Sequence, residues 1–156
     1  MNALTFRPPW GTLCFLPRDD DCGMVKQIET RKKPVGLKVS ERFAIHQGLE
    51  WDSGARAIIE EMEAAWPGDE DEGIWRALDC LEHYREPDFP RGVILGTARV
   101  DEVRPLVWAD SPRSLCWAEG LTAYVLADPI MFAEPVLARG NQGLWRWDPR
   151  WQHQSA

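Results

Sequence analysis

A chain of 156 residues, 44% hydrophobic and 28% charged, has the size and make-up of a single domain, 1–156, with a proper core. Its net charge of −7 argues against an indiscriminate nucleic-acid binder, which would be basic overall. No apolar run approaches the roughly 20 residues that cross a bilayer. The start, "MNALTFRPPWGTLCF", lacks a basic segment followed by an apolar stretch and a cleavage site, so neither membrane insertion nor export is expected.

In chain order, "ALTF" reads as a first strand and "PPWGTLCFL" as a short helix opened by proline. "PRDDDCG" at 17–23 is a polar loop. "MVKQIETR" reads as a strand with Val25, Gln27, Glu29 and Arg31 on one face and Lys26, Ile28 and Thr30 on the other. Each face mixes apolar and polar residues, as in a strand lining a cleft. "LKVSERFAIHQ" at 37–47 is a further strand.

Asp52 or Ser53 can cap a helix starting near Gly54, whose apolar positions Ala55, Ile58, Ile59, Met62 and Trp66 repeat at helical spacing. "PGDEDEG" breaks it, and a second helix near 73–84 carries Ile74, Leu78 and Leu81 on one stripe. "VILGTARVDEVRPLVW" at 93–108 is a long strand or pair of strands, with Gly96 marking a bulge or close backbone approach. "TAYVLADP" is a strand stopped by proline, and "PVLARGNQGLWRW" a turn at Gly140–Gln142 feeding a last strand. Strands at both ends with helices between them predict an α+β fold, a curled sheet or small barrel with helices over one opening.

Charge is unevenly spread. Residues 24–42 hold six cations against two carboxylates, whereas residues 50–88 hold thirteen carboxylates against three arginines. A local positive field on an acidic protein suits one phosphate-bearing ligand. Within it, Arg31 can make a bidentate contact to phosphate or a guanine edge. Glu29 can accept from a base edge, while Lys26 serves phosphate or a developing oxyanion. If the site is catalytic, Lys26 and Glu29 carry the chemistry, with Lys26 as general base.

Nine tryptophans exceed ordinary use, and Trp10, behind two prolines, can stack on a base. His46, ending an apolar strand, is either a hydrogen-bonded core histidine or a ligand contact. Gln142 and Trp145 are ligand candidates in a terminal motif whose other job is to close the barrel. Ser111 and Ser114 are loop hydroxyls with no triad legible from their order. Cys14, Cys22, Cys80 and Cys116 read as reduced thiols of a cytoplasmic protein. Cys80 and His83 have the spacing of a metal pair, but no second pair lies nearby, so no metal site and no cofactor are expected.

"RPPW", "KQIETR", "AIH", "RGVILGTARVDEV", "AYVLADP" and "PVLARGNQGLWRW", in this order, resemble the ASCH domain family of the PUA-like superfamily, over about residues 3–149 with 150–156 as a tail. The resemblance implies a small β-barrel with flanking helices that binds RNA or a modified nucleobase in a cleft between barrel and first helix. Two activities occur among relatives, hydrolysis of the N4-acetylcytidine amide and RNA cleavage. The amidohydrolases carry a catalytic lysine and, three positions later, a catalytic threonine. Here these positions hold Lys26 and Glu29, and "VSER" replaces a Tyr-Arg-Gly step.

Binding of RNA or a modified nucleotide is therefore the leading expectation. A hydrolase using Lys26 is the alternative, and a protein-interaction module using the acidic helices at 53–84 the third.

Overall fold

A computed structural model describes residues 1–18, 23–66, 72–117 and 120–150. Six strands form one mixed sheet: β1 (Asn2–Phe6), β2 (Ile28–Arg31), β3 (Arg42–Gln47), β4 (Val93–Pro105), β5 (Thr122–Leu137) and β6 (Leu144–Arg146). They lie side by side in the order β2-β5-β4-β3-β1-β6, and β1 with β3 is a parallel pair. β3, "RFAIHQ", is buried from Phe43 to Gln47, as befits a central strand covered on both faces. The helices are α1 (Trp10–Leu13), α2 (Ala55–Ala65), α3 (Glu72–His83) and α4 (Ser111–Ser114).

The architecture is α+β, as expected, but the small barrel does not close. Edge strands β2 and β6 have no ladder between them. Curling comes from three register shifts between β4 and β5, near Gly96, Thr97 and Val100, each of which bends the pair. The bend brings β2 close enough to β1 for one side chain to span the seam: Arg31 Nη2 donates to Thr5 O at 2.9 Å.

Inside the curl lies a core of Leu4, Phe6, Phe43, Ile45, Leu95 and Tyr124 with their neighbours. A second core joins α2 and α3 to Leu13, Val25 and Leu115 through Ile59, Met62, Ile74 and Leu78. Both helical stripes read from the sequence point into it. Trp10 packs against both cores. The N-cap of α2 is Gly54 and makes no side-chain cap; the expected cap residue Asp52 forms a turn just ahead of the helix, its Oδ1 accepting from Gly54 N at 3.1 Å.

Three boundaries differ from the sequence reading. The strand expected at 24–31 begins only at Ile28, because Val25, Lys26 and Gln27 direct their N–H groups to Leu16 O, Leu13 O and Arg113 O instead of to a neighbouring strand. The strand expected at 37–47 begins at Arg42, since Ser40 has a φ of 67° and turns the chain. β5 runs past Pro129 to Leu137, because the register shifts leave positions where no ladder N–H is needed. "PGDEDEG" falls partly on 67–71, outside the described residues.

No helix among the described residues is long and apolar enough to cross a membrane. Cys14, Cys80 and Cys116 are unpaired, and Cys22 lies outside the described residues. Burial pushes the Cys14 thiol up to about 12, which makes it inert at neutral pH.

At Gly96 a Cβ would sit 2.2 Å from Ile130 O and 2.9 Å from Met131 Cα, both backbone atoms that cannot swing away. Gly96→Ala should therefore destabilise the fold by about 1–3 kcal/mol. Chemical denaturation of wild type and variant measures this, and equal midpoints would contradict the close approach.

Candidate functional site

A cavity of about 1330 Å³ opens between the curled sheet and the helices. Its floor is Lys26 and Glu29, which are 4% and 7% exposed. The regular strand alternation would have sent these two side chains to opposite faces. They converge because the chain is not yet in the sheet at Lys26, and Lys26 Nζ ends 3.6 Å from Glu29 Oε2.

Lys26 Nζ also donates to Ile28 O and to Ser114 O, each at 2.7 Å. Ser114 O is available because α4 ends there, with Leu115 turned to a φ of 53°. The Trp10 ring centroid lies 5.8 Å from the same nitrogen. Three oxygens and an indole face thus surround the ammonium, and all attract positive charge.

Glu29 meets a second cation at its other oxygen. Arg31 Nε is 2.8 Å from Oε1, close but poorly aligned for a hydrogen bond. The guanidinium also sits 5.7 Å from the Phe6 ring while binding Thr5 O. One carboxylate between two cations leaves the floor with a positive surplus.

The rim extends this surplus. Arg7, Arg91 and Arg139 join Lys26 and Arg31 around the cavity, against Glu29, Glu50 and Asp52. Five cations and three carboxylates line the cavity, and Glu86 pairs with Arg91 at 2.6 Å, which leaves one positive charge in excess in a chain of net charge −7. A concave, partly desolvated site focuses that field on whatever enters. The exposed Arg7–Glu50 pair at 3.3 Å adds little to stability.

Trp10 is half-buried, with its Nε1 donating to Asp52 Oδ2 at 2.7 Å. The same carboxylate therefore holds the turn ahead of α2 and fixes the indole. His46 is 2% exposed, with Nε2 3.0 Å from Ala138 O and Nδ1 3.2 Å from Thr5 Oγ1. Burial pushes its pKa below the usual 6.5, against a weaker upward pull from the Ala138 carbonyl.

Of the sequence-derived candidates, Trp10, Lys26, Glu29, Arg31, His46 and Gln142 all line the cavity. Trp145 does not. It stands behind the wall, donating to Thr5 Oγ1 at 3.1 Å and meeting the His46 ring edge-on at 5.6 Å. Trp147 is core, 5% exposed and packed on Phe132. Ser114 acts through its carbonyl, and its hydroxyl is turned to backbone oxygens.

Sequence reading missed Thr5 and Arg139. Thr5 carries no motif, whereas Arg139 sits three residues before Gln142 in the quoted "ARGNQG". Cys80 is buried and His83 exposed, bound to Asp79 O at 2.9 Å. Among the described residues no group of three or more His, Cys, Asp or Glu can hold a metal ion.

No protein-family model matches the chain, and no curated protein matches its sequence. Solved structures do. The ASCH protein of Zymomonas mobilis is 13% identical with a TM-score of 0.51, covering 98% of this chain and 90% of that one. Two single-substitution variants of it give TM-scores of 0.53 and 0.50 at 12% and 13% identity, again over 98% of this chain and over 91% and 93% of theirs. The chain has the ASCH fold, and the resemblance carried by its motifs holds at the level of architecture.

Replacing Glu29 by Gln keeps the shape and leaves Lys26 beside an uncharged neighbour. A loss of roughly 3 kcal/mol is expected, the low end for a broken buried ion pair because Arg31 keeps part of its side chain in water. Denaturant titration tests this, and unchanged stability would mean the carboxylate is not the counter-ion.

His46 gives a second prediction. Its folded pKa lies below 6.5, so below pH 6.5 the unfolded chain binds the extra proton first. In the free protein this contribution is complete above 6.5 and is lost as pH falls toward the lower folded value. His46→Gln should flatten that part of the stability profile, measured as melting temperature against pH.

Proposed function

We propose that the chain binds RNA or a modified nucleotide in this cavity. The observation that carries the reading is the buried Lys26–Glu29–Arg31 unit beneath Trp10, with a cation surplus, in an otherwise acidic protein. Guanidinium and ammonium donors suit phosphate or base carbonyl oxygens, and the spare lone pairs of Glu29 suit amino or imino N–H groups. Stacking on Trp10 would add about 1–3 kcal/mol per base. Ligand pockets commonly span roughly 300–1,000 Å³, so this cavity has room for a base at the floor and flanking phosphates at the arginine rim. The likeness to the ASCH fold supports the same reading.

Short RNAs and free modified nucleosides, titrated at two salt concentrations, test it. Wild type is expected to bind, more weakly at higher salt, and Arg31→Ala and Lys26→Ala to lose about tenfold or more, a loss of about 1.4 kcal/mol. Absence of binding by wild type to every probe would overturn the reading. Because Lys26→Ala bares Glu29, the partly exposed Arg31 is the cleaner variant.

The buried Lys26–Glu29 contact also supports a second reading, hydrolysis of an acylated base or of RNA. Incubation with N4-acetylcytidine and with RNA, with and without divalent metal, separates the two. Turnover that Lys26→Ala abolishes would establish hydrolysis, and intact substrates would leave binding.

A further inference from the structure

Thr5 stands where three hydrogen-bonding groups meet. Its Oγ1 donates to Asn141 O at 2.8 Å, accepts from Trp145 Nε1 at 3.1 Å and lies 3.2 Å from His46 Nδ1. A hydroxyl owns one hydrogen and two lone pairs. That hydrogen can serve Asn141 O or an unprotonated Nδ1, not both.

The other ring nitrogen fixes the tautomer. Ala138 O, 3.0 Å from Nε2, can only accept, so Nε2 carries a hydrogen in either charge state. A neutral ring then has a bare lone pair at Nδ1, which competes with Asn141 O for the Thr5 hydrogen. A protonated ring donates to Ala138 O and to Thr5 Oγ1, and the Thr5 hydrogen is released to Asn141. In that state every group in the cluster has its partner. The proton on His46 therefore decides how firmly the 138–143 segment is tied to β1.

That segment is a wall of the cavity. Arg139 and Gln142 line it, and Arg139 forms no ion pair among the described residues. Gly140 abuts the imidazole: a Cβ there would be 2.2 Å from His46 Cε1 and 2.5 Å from Nδ1. The contact is too close for the wall to be indifferent to the ring.

We infer that His46, acting through the Thr5 hydroxyl, is a positioning residue for an anionic ligand: its protonated form ties down the 138–143 wall, so that RNA binding and proton uptake at His46 reinforce each other. The inference rests on the reading of the cavity as an RNA or nucleotide site. Thr5 of β1, Trp145 of β6 and Ala138 and Gly140 of the wall contact the ring, and none of these side chains titrates near neutrality. The charged groups sharing the cavity are Arg31, bound to the Thr5 carbonyl, and Arg139 on the wall, with Arg7, Lys26, Arg91, Glu29, Glu50 and Asp52 beyond. Side chains of these types ordinarily titrate outside the range from about pH 5.5 to about pH 8.

The ligand and the proton must act reciprocally, since each favours the same tied-down wall. The test is the affinity of the full chain for a short RNA with hydroxyl ends, which has no terminal phosphate to titrate. It is measured from about pH 8 to about pH 5.5 at constant ionic strength, with melting temperatures confirming that each variant folds. Wild type should tighten roughly fivefold or more as pH falls. Thr5→Ser, which keeps the hydroxyl, should retain the slope, and Thr5→Val and His46→Gln should lose it.

In proton NMR, RNA should raise the His46 midpoint in wild type and not in Thr5→Val. A slope unchanged in Thr5→Val and His46→Gln, or a His46 midpoint that RNA leaves in place, would overturn the inference. Binding at neutral pH without a pH slope would do so while leaving the proposed function intact. Absence of binding at every pH would remove both.

Discussion

Glu29 is held between two cations, and the rest of the site is arranged around that carboxylate. Burying any one of the three charges alone would be costly, because an ion removed from water loses its hydration with nothing in exchange. Together they replace that hydration: Lys26 through two carbonyls and an indole face, Arg31 through Thr5 O and the Phe6 ring. Those partners come from β1, β2, α1 and the end of α4. The charged unit therefore does two jobs, presenting donors to the cavity and bridging the seam that the open sheet leaves between β1 and β2. Site and fold depend on the same atoms here.

The wider electrostatics follow from where the chain puts its charges. Acidic side chains on α2 and α3 face water, where they cost little and keep the protein apart from polyanions in general. Five cations line a concavity, where field lines are confined and solvent screens less. The proposed binding of one anionic ligand is for this reason compatible with an acidic molecule that repels polyanions.

The tryptophans tell a different story from the one their number suggests. Among the described residues only Trp10 lines the cavity. Trp66, Trp108 and Trp117 pack on one another at 5.1–5.3 Å beside the helical core, Trp51 packs on Phe89, and Trp147 fills the sheet's other face. The indole supply is mainly packing, and a single described ring faces the cavity. Trp10 holds that place because its N–H is bound to Asp52 and its face is turned to Lys26. Such a pairing depends on residues 42 and 16 positions away, which no local pattern encodes.

What the amino-acid order determined by itself was local and periodic: the amphipathic stripes of α2 and α3, the turn at Asp52, the bulge at Gly96 and the cationic cluster from Lys26 to Lys33. Each is a matter of spacing or side-chain chemistry within a few residues, and six of the seven candidate site residues follow from it and from the quoted motifs. Tertiary structure decided what those residues do to one another. It delayed the entry of β2 into the sheet until Ile28, because α1 and α4 took the preceding backbone hydrogen bonds, and so brought Lys26 and Glu29 together where alternation would have parted them. It also placed Thr5 beside Asn141, 136 residues apart, and left the sheet open between its edge strands β2 and β6. Contacts of that reach arise from packing between distant segments, and packing is a property of the folded whole.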